Sequence, residues 1–401
     1  VRDFLNTLGH EIIVVGGGIS GLSLAHYCAR GGLNPLVVEK DSRLGGTFHT
    51  HRTNHFWFEL GAHTCYNTYA NLIDLLDETG LLEKIVRPGS AGYRLLSGGE
   101  LRTLTSQLNF PELVVSLPRF LTAKPEGETV ESYYSKIVGK RNFERIVGPL
   151  LSAVICQQCN NFPADMLFKK RPRRKGVTKK FTLSGGIQTI IETIAAEPAI
   201  RIVRDREVKE VLYQSGTFSV VTAEGSSFES RSVAIAAPSG AAAAMLQKSF
   251  PALSEKLSEL KAAKVETVGV IVKKDALKIP PIAALSASDD IFYSFVSRDT
   301  FPDAVYRGFA FHFRAGASHD EVKLDRIASV LGTRDFEQII KAEHVIPSLR
   351  LGQNNVIKEI DGFIAGTRLL LTGNYFSGLA IEDCLARSLK EFERLTQQRR
   401  L

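Results

Sequence analysis

The 401-residue chain has no run of 18 apolar residues, so no membrane-spanning helix is expected. Its start, Val1-Arg2-Asp3-Phe4-Leu5, lacks the long apolar stretch and small-residue cleavage site of a secretory signal. The missing initiator Met points to trimming or to a chosen start. Cysteine is scarce: five residues, an odd number without dense spacing, argue against a disulfide framework and for a reducing cytosol. Internal repeats and low-complexity tracts are missing, which excludes solenoids and arrays. There is also no Ser-His-Asp arrangement and no metal-spaced carboxylate cluster, so no metal site is expected.

What is present is an ordinary globular balance, 44% hydrophobic and 23% charged, over a length that suits two domains. The net charge of +7 is partly local. Lys169-Lys170-Arg171-Pro172-Arg173-Arg174-Lys175, with Lys179-Lys180, places eight cations together with no acid between them. A nucleic-acid footprint would spread its basic residues over a face, so no nucleic-acid partner is expected. The run reads as a solvated, mobile loop, or as a peripheral contact with anionic membrane. The expected location is cytoplasmic, with peripheral membrane contact as the variant.

Strand and helix patterns alternate from the beginning. Glu11-Ile12-Ile13-Val14-Val15 is a short β-branched run ending in glycines, a buried parallel strand. Ile19 to Arg30 has helical spacing, and Pro35-Leu36-Val37-Val38-Glu39 is a second buried strand. Helices are expected at Leu72–Leu82, Val130–Val138 and Phe143–Leu151. Strands return near residues 200–203, 218–221 and 232–236, with a half-buried alternating strand at Val265–Val272. Leu369-Leu370-Leu371 and a final helix close the chain.

Between the first strand and helix, Gly16-Gly17-Gly18-Ile19-Ser20-Gly21 fits G-x-G-x-x-G. The first glycine makes a tight turn, the second lets backbone approach a pyrophosphate, and the third permits close helix–strand packing. The helix N-terminus adds N–H groups and positive dipole. Glu39 closes the second strand, where a carboxylate can accept from ribose hydroxyls. This motif alone does not separate NAD from FAD, and only one such fingerprint occurs.

The residues that follow carry a resemblance. Arg43-Leu44-Gly45-Gly46-Thr47, after Glu39-Lys40, resembles the R-x-G-G extension of the flavoproteins that include amine oxidases, phytoene desaturases and protoporphyrinogen oxidases. The resemblance implies that this segment runs along the pyrophosphate and ribityl chain of non-covalent FAD. Phe58-Glu59-Leu60-Gly61-Ala62-His63 is similar to the family segment beside the isoalloxazine. Phe181 to Thr189, Glu207-Val208 and Ala236-Ala237-Pro238 are similar to further family stretches, with Val208 implied against adenine. Leu371-Thr372-Gly373-Asn374-Tyr375-Phe376-Ser377-Gly378-Leu379-Ala380 closely resembles the protoporphyrinogen-oxidase C-terminal motif that cradles the flavin end. Two departures stand out: Gly92-Tyr93 where that branch has Arg-Tyr, and Ala153 to Asn160 where it has a Gly-rich stretch.

The fold class implied is α/β: a Rossmann-like parallel-sheet FAD domain built from discontinuous segments, with an inserted α+β substrate domain. The segments read 1–80, 181–265 and 356–401 for the cofactor, and 81–180 (mostly helical) and 266–355 (sheet) for the substrate. The activity implied is hydride removal from a C–H next to nitrogen or an activated carbon of a small molecule, with oxygen or another acceptor taking the electrons. An amine oxidase or desaturase in a biosynthetic pathway, and a non-catalytic flavin-binding partner protein, are the alternatives. His63 and Tyr375 are candidates beside the ring, and Arg350 is a candidate anion anchor, each also readable as structural. Arg94 or Arg350 would have to replace the missing arginine at Gly92. Cys156-x-x-Cys159 reads as packing cysteines on adjacent helical turns, a redox pair, or half of a metal site.

Overall fold

The computed structural model describes residues 10–53 and 56–399, so the Val1–Leu5 start lies outside the described residues. A five-stranded parallel sheet runs in the order Arg201–Val203, Pro35–Val38, Ile12–Val15, Val233–Ile235, Leu369–Leu371. Ile12–Val15, Pro35–Val38, Val233–Ile235 and Leu369–Leu371 are buried at every position. Helices cover both faces, which is why these strands are continuously apolar instead of alternating. Ile12, Val14 and Val37 pack with helix Ile19–Arg30 and the C-terminal helix Ile381–Arg399. Ile13, Val15, Leu36 and Val38 pack with helices Ser239–Leu246, Pro251–Glu259 and Gln353–Ile364. Strand order reverses at Ile12–Val15, and such a reversal opens a crevice at the carboxyl ends of the central strands.

The C-terminal helix ties the first face together. Ser388 Oγ donates to Ser20 O at 2.8 Å, and the Glu382 carboxylate accepts from the Asn71 and Leu72 N–H groups at 3.0 and 3.2 Å. Those are orphan donors of helix Ala70–Glu78, whose N-cap residue Tyr69 offers no side-chain cap. A carboxylate from a distant helix therefore does the capping. That helix stops at Glu78, short of the expected Leu82, with Gly80 at φ +71°.

The second sheet has seven strands, in the order Phe336–Pro347, Ala262–Lys273, Tyr306–Arg314, Phe292–Ser297, Ile282–Ala287, Gly92–Ser97, Glu100–Arg102. Pairing is antiparallel apart from Ile282–Ala287 against Gly92–Ser97. One side carries the ring cluster Phe292, Phe295, Phe309, Phe311 and Phe313. Onto the other folds the hairpin Thr50–Thr53/Phe56–Glu59, whose Phe58 ring crowds the places a β-carbon would occupy at Gly269 and Gly308. Val268 to Val272 is thus buried continuously, not half-buried as the alternation suggested, because rings cover both faces. The helix expected at Phe143–Leu151 is a π-helical turn, Phe143–Val147, followed by α-helix Gly148–Ile155. Pro149 has no N–H for the i−4 carbonyl, which suits this change of register.

His26, 2% exposed, sits between two carboxylates, with Nδ1 2.5 Å from Glu197 Oε1 and Nε2 3.0 Å from Glu78 Oε2. Burial disfavours its cation, but the hydrogen bonds and charges of Glu197 and Glu78 outweigh that and raise its pKa. A raised folded-state pKa contributes stability fully present below the unfolded value near 6.5 and lost as pH rises through the folded value. Urea unfolding at pH 6 and pH 9 should show a larger loss of stability in the wild-type protein than in His26→Gln. Equal losses would show that the imidazolium gains nothing from these two carboxylates.

Candidate functional site

The glycine loop sits where strand order reverses. Gly16 takes φ +107°, its N–H donates to Val38 O at 2.9 Å, and a β-carbon there would lie 2.8 Å from Ala236 O. A β-carbon on Gly21 would lie 2.0 Å from Gly16 O. These two glycines let the turn, helix and neighbouring strand close on one another. Gly18 is different. Its backbone is extended (φ −76°, ψ 177°), and a β-carbon there would meet only Gly45 O, at 3.9 Å. The space beside it is open, and the first turn of helix Ile19–Arg30 has neither an acidic residue nor a side-chain cap. The first N–H groups of the helix, those of Ile19, Ser20 and Gly21, together with positive dipole and a missing side chain, suit a pyrophosphate.

Surrounding residues complete this crevice. Gly45 N donates to Gly17 O at 2.8 Å, with Gly45 and Gly46 at φ +111° and +56°. The Glu39 carboxylate, 8% exposed, accepts from Gly17 N at 2.6 Å and Asp41 N at 3.0 Å. It braces the glycine loop and keeps acceptor capacity for ribose hydroxyls. Arg206 N donates to Glu39 O at 3.0 Å, bringing the chain before Val208 to the end of the second strand. Val208 is buried in the cluster of Val15 and Val38, while Lys40 is exposed. Arg43 lies in the segment that the resemblance sets along the pyrophosphate. Its guanidinium instead donates to Leu44 O, Phe48 O and Gly46 O at 2.9, 2.8 and 2.7 Å, so it shapes the loop that presents Gly45 and Gly46.

On the far side, Thr372 N bonds Ile235 O, and Gly373 and Gly378 take φ +151° and +152°. Asn374, Leu379 and Ala380 are partly exposed along this turn, which leads into the C-terminal helix. The basic run is not simply a solvated loop here. Lys169 Nζ and Arg171 Nη2 reach Asp383 Oδ1 at 3.0 and 2.7 Å, and Lys169 also donates to Ser377 O. Arg174 pairs with Asp74, while Lys170, Arg173 and Lys175 stay exposed.

From the glycine loop the chain leads into a cavity. Thr47 O accepts from Ala62 N at 2.9 Å, and Gly61 lies so close that a β-carbon would stand 2.1 Å from the same oxygen. His63 follows and lines a cavity of about 430 Å³. Strand Phe56–Glu59, segment Arg87–Tyr93, strand Lys180–Leu183 and the seven-stranded sheet wall it. Trp57, Phe58, Tyr93, Phe181 and Phe301 give it apolar surface, and Arg87, Lys179, Lys180 and Arg298 give it positive charge. His63 is exposed, and the protein packed around it lowers its pKa, partly offset by its contact with Gly61 O at 3.3 Å. An Nδ1–H pointing at that carbonyl leaves Nε2 as an acceptor. Glu59 is 8% exposed, and burial pushes its carboxyl up to about 7 against hydrogen bonds from Ile187 N and Thr50 Oγ1.

Tyr375 and Arg350 are placed elsewhere. Tyr375, 2% exposed, packs on Phe376 with centroids 4.6 Å apart, in the cluster beneath the parallel sheet, and its hydroxyl has no hydrogen-bond partner among the described residues. Arg350 is exposed and its Nη1 turns to Leu349 O at 3.3 Å. Arg94 likewise folds back, to Tyr93 O at 3.1 Å. Cys156 ends its helix at φ +48°, so Cys159 lies beyond the helix and not one turn along it. Both thiols donate to carbonyls, of Ala153 and Gly148, and burial raises both pKa values. Among the described residues no group of three or more His, Cys, Asp or Glu could hold a metal ion.

A family profile described as flavin containing amine oxidoreductase matches residues 19–306, most of the chain. The chain belongs to that family. The family is one of flavin-containing oxidoreductases, and the crevice suits the diphosphate of FAD. Among similar proteins, protoporphyrinogen oxidase 2 of Arabidopsis thaliana is 38% identical over 88 residues, covering 22% of this chain and 17% of that protein. The 15-cis-phytoene desaturase of Narcissus pseudonarcissus is 35% identical over 78 residues, covering 19% and 14%. The matched stretches thus span less than a fifth of these relatives' own length. A solved structure from Exiguobacterium sp. 255-15, provisionally assigned as a protoporphyrinogen oxidase, superposes with a TM-score of 0.81 over 99% of this chain and 100% of that one, at 19% identity. At that identity the likeness shows the α/β fold, a parallel-sheet cofactor region joined to a substrate region. No helix among the described residues is long and apolar enough to cross a membrane.

The contrast between Gly18 and Gly21 gives a test. Gly18→Val should abolish FAD uptake while leaving the thermal midpoint of the cofactor-free protein nearly unchanged. Gly21→Val should lower both, because its β-carbon has no room. FAD absorbance and a melting curve for each variant check this; retained FAD in Gly18→Val would contradict the placement of the pyrophosphate.

Proposed function

We propose that the chain is an FAD-dependent oxidoreductase that oxidises a C–H next to nitrogen or an activated carbon, in a small molecule held in the cavity. Oxygen or another acceptor takes the electrons onward. The observation that carries this reading is the short path from loop to cavity: Thr47 O, next to Gly45 and Gly46, accepts from Ala62 N at 2.9 Å, and His63, the next residue, lines the cavity. FAD, when bound, supplies a two-electron acceptor at its ring.

The chain's own part is binding, orientation and proton handling. Gly18 and the helix N-terminus hold the diphosphate, Glu39 holds the ribose, and Val208 lies toward the adenine. The turn through Gly373 and Gly378 and the N–H groups near Leu379-Ala380 lie toward the flavin end, where positive dipole favours a reduced, anionic ring. His63 Nε2 accepts the proton that leaves with substrate oxidation, since its lowered pKa keeps it neutral at pH 7. A cavity of about 430 Å³ lies toward the lower end of the range for small-molecule sites, roughly 300–1,000 Å³. With Arg94 turned away, this supports a substrate smaller than a tetrapyrrole.

Anaerobic photoreduction followed by admission of oxygen tests competence: the bound flavin should bleach and recover. With a substrate in hand, kcat should fall on the acid side of pH 6.5 as His63 protonates. His63→Gln should flatten that limb and lower kcat by about 10²–10⁴-fold with little change in KM. A flavin that photoreduces but is bleached by no organic substrate would support a non-catalytic flavoprotein. An unchanged acid limb in His63→Gln would remove the histidine from the mechanism.

A further inference from the structure

One cation in the cavity has side-chain donors with no hydrogen-bond partner among the described residues. Arg298 follows strand Phe292–Ser297 of the seven-stranded sheet and lines the cavity. Its guanidinium carbon lies 4.3 Å from the centre of the Trp57 ring, 5.5 Å from Phe56 and 5.6 Å from Phe301. The rings hold it in place and supply cation–π attraction. Yet its Nε and Nη1 are buried without a hydrogen-bond partner among the described residues. Buried donors left unmade are costly, and Nε–H and the Nη1 amino group lie on opposite sides of the guanidinium, so each calls for its own acceptor.

The nearby acids do not meet this need. Asp303 and Glu59 are close enough to favour the arginine's charge, but neither bonds Nε or Nη1. Glu59 is committed to Thr50 and Ile187, and with its pKa near 7 it is only partly ionised at neutral pH. Arg87, Lys179 and Lys180 add three further cations to the lining, with Lys180 Nζ 5.8 Å from the Tyr93 ring centre. An ammonium group entering this space would meet like charges on several sides. An anion with an apolar body would meet aromatic walls and the positive charge of these side chains.

We infer that the substrate is an apolar molecule bearing a carboxylate, anchored by Arg298 between Trp57 and Phe301, and not a cationic amine. This deepens the proposed function and rests on the cavity being the substrate site. Arg298 is a specificity-determining residue in this account: it fixes which end of the substrate lies away from His63.

The test compares three probes of equal size, 2-naphthoate, 2-naphthylmethanol and 2-naphthylmethylamine, by calorimetric titration into the FAD-loaded protein at pH 7. The carboxylate should bind at least about tenfold more tightly than the alcohol, and the amine most weakly. Arg298→Met should erase the carboxylate's advantage and Arg298→Lys should retain part of it, with FAD absorbance and melting showing that both fold. Amine binding as tight as the carboxylate's, or an unchanged preference in Arg298→Met, would overturn the inference. The underlying oxidoreductase reading fails separately: a carboxylate preference in a protein whose flavin no substrate bleaches keeps the anion site and rejects the oxidation.

Discussion

A carbonyl oxygen 2.0 Å from where a side chain at Gly21 would begin sets the geometry of the cofactor region. Because Gly16 O and the first turn of helix Ile19–Arg30 approach this closely, the helix can lie against the strand it follows. Its N-terminal N–H groups are then delivered to the mouth of the crevice. Ser388 and Glu382 of the C-terminal helix depend on that placement, since they bond Ser20 O on one side and the start of helix Ala70–Glu78 on the other. The opening at Gly18 is the complement of this crowding: Gly16, Gly17 and Gly21 are hemmed in by protein and Gly18 alone of the four is left for a ligand.

Charge is distributed to match. Acids in the cofactor region are spent on backbone donors or on nearby cations: Glu39 on Gly17 and Asp41, Asp383 on Lys169 and Arg171. Neither leaves a free negative charge facing the helix N-terminus that meets the phosphates. The cavity beyond His63 carries several cations and one half-neutral carboxyl, Glu59. Both spaces therefore favour anionic groups, the first through backbone N–H groups and the second through an arginine held among aromatic rings.

The parallel strands and first helix were legible because their signals are local: β-branched runs, helical spacing and glycines whose need for space follows from sterics alone. Val268–Val272 was misjudged because its second face is covered by rings from residues 56–58, more than 200 positions away, which no local period reports. Arg43 was read by its charge, whereas its partners are backbone carbonyls invisible in a sequence. Tyr375 lies close in sequence to the glycine turn, yet its ring turns under the sheet. Arg298 is no more conspicuous in the sequence than Arg350: a lone arginine has no spacing signature, and its cavity is assembled from five separated segments. The lone tryptophan, Trp57, was the nearest available hint.

The central claim is that the crevice beside Gly18 holds FAD without a covalent bond. Incubation of the purified protein with FAD, followed by desalting, an absorbance spectrum and acid release, tests it most directly. The account predicts a yellow protein that carries about one flavin per chain and releases it with the mass of intact FAD. A colourless protein that takes up no added FAD, or a flavin that stays with the denatured chain, would contradict it.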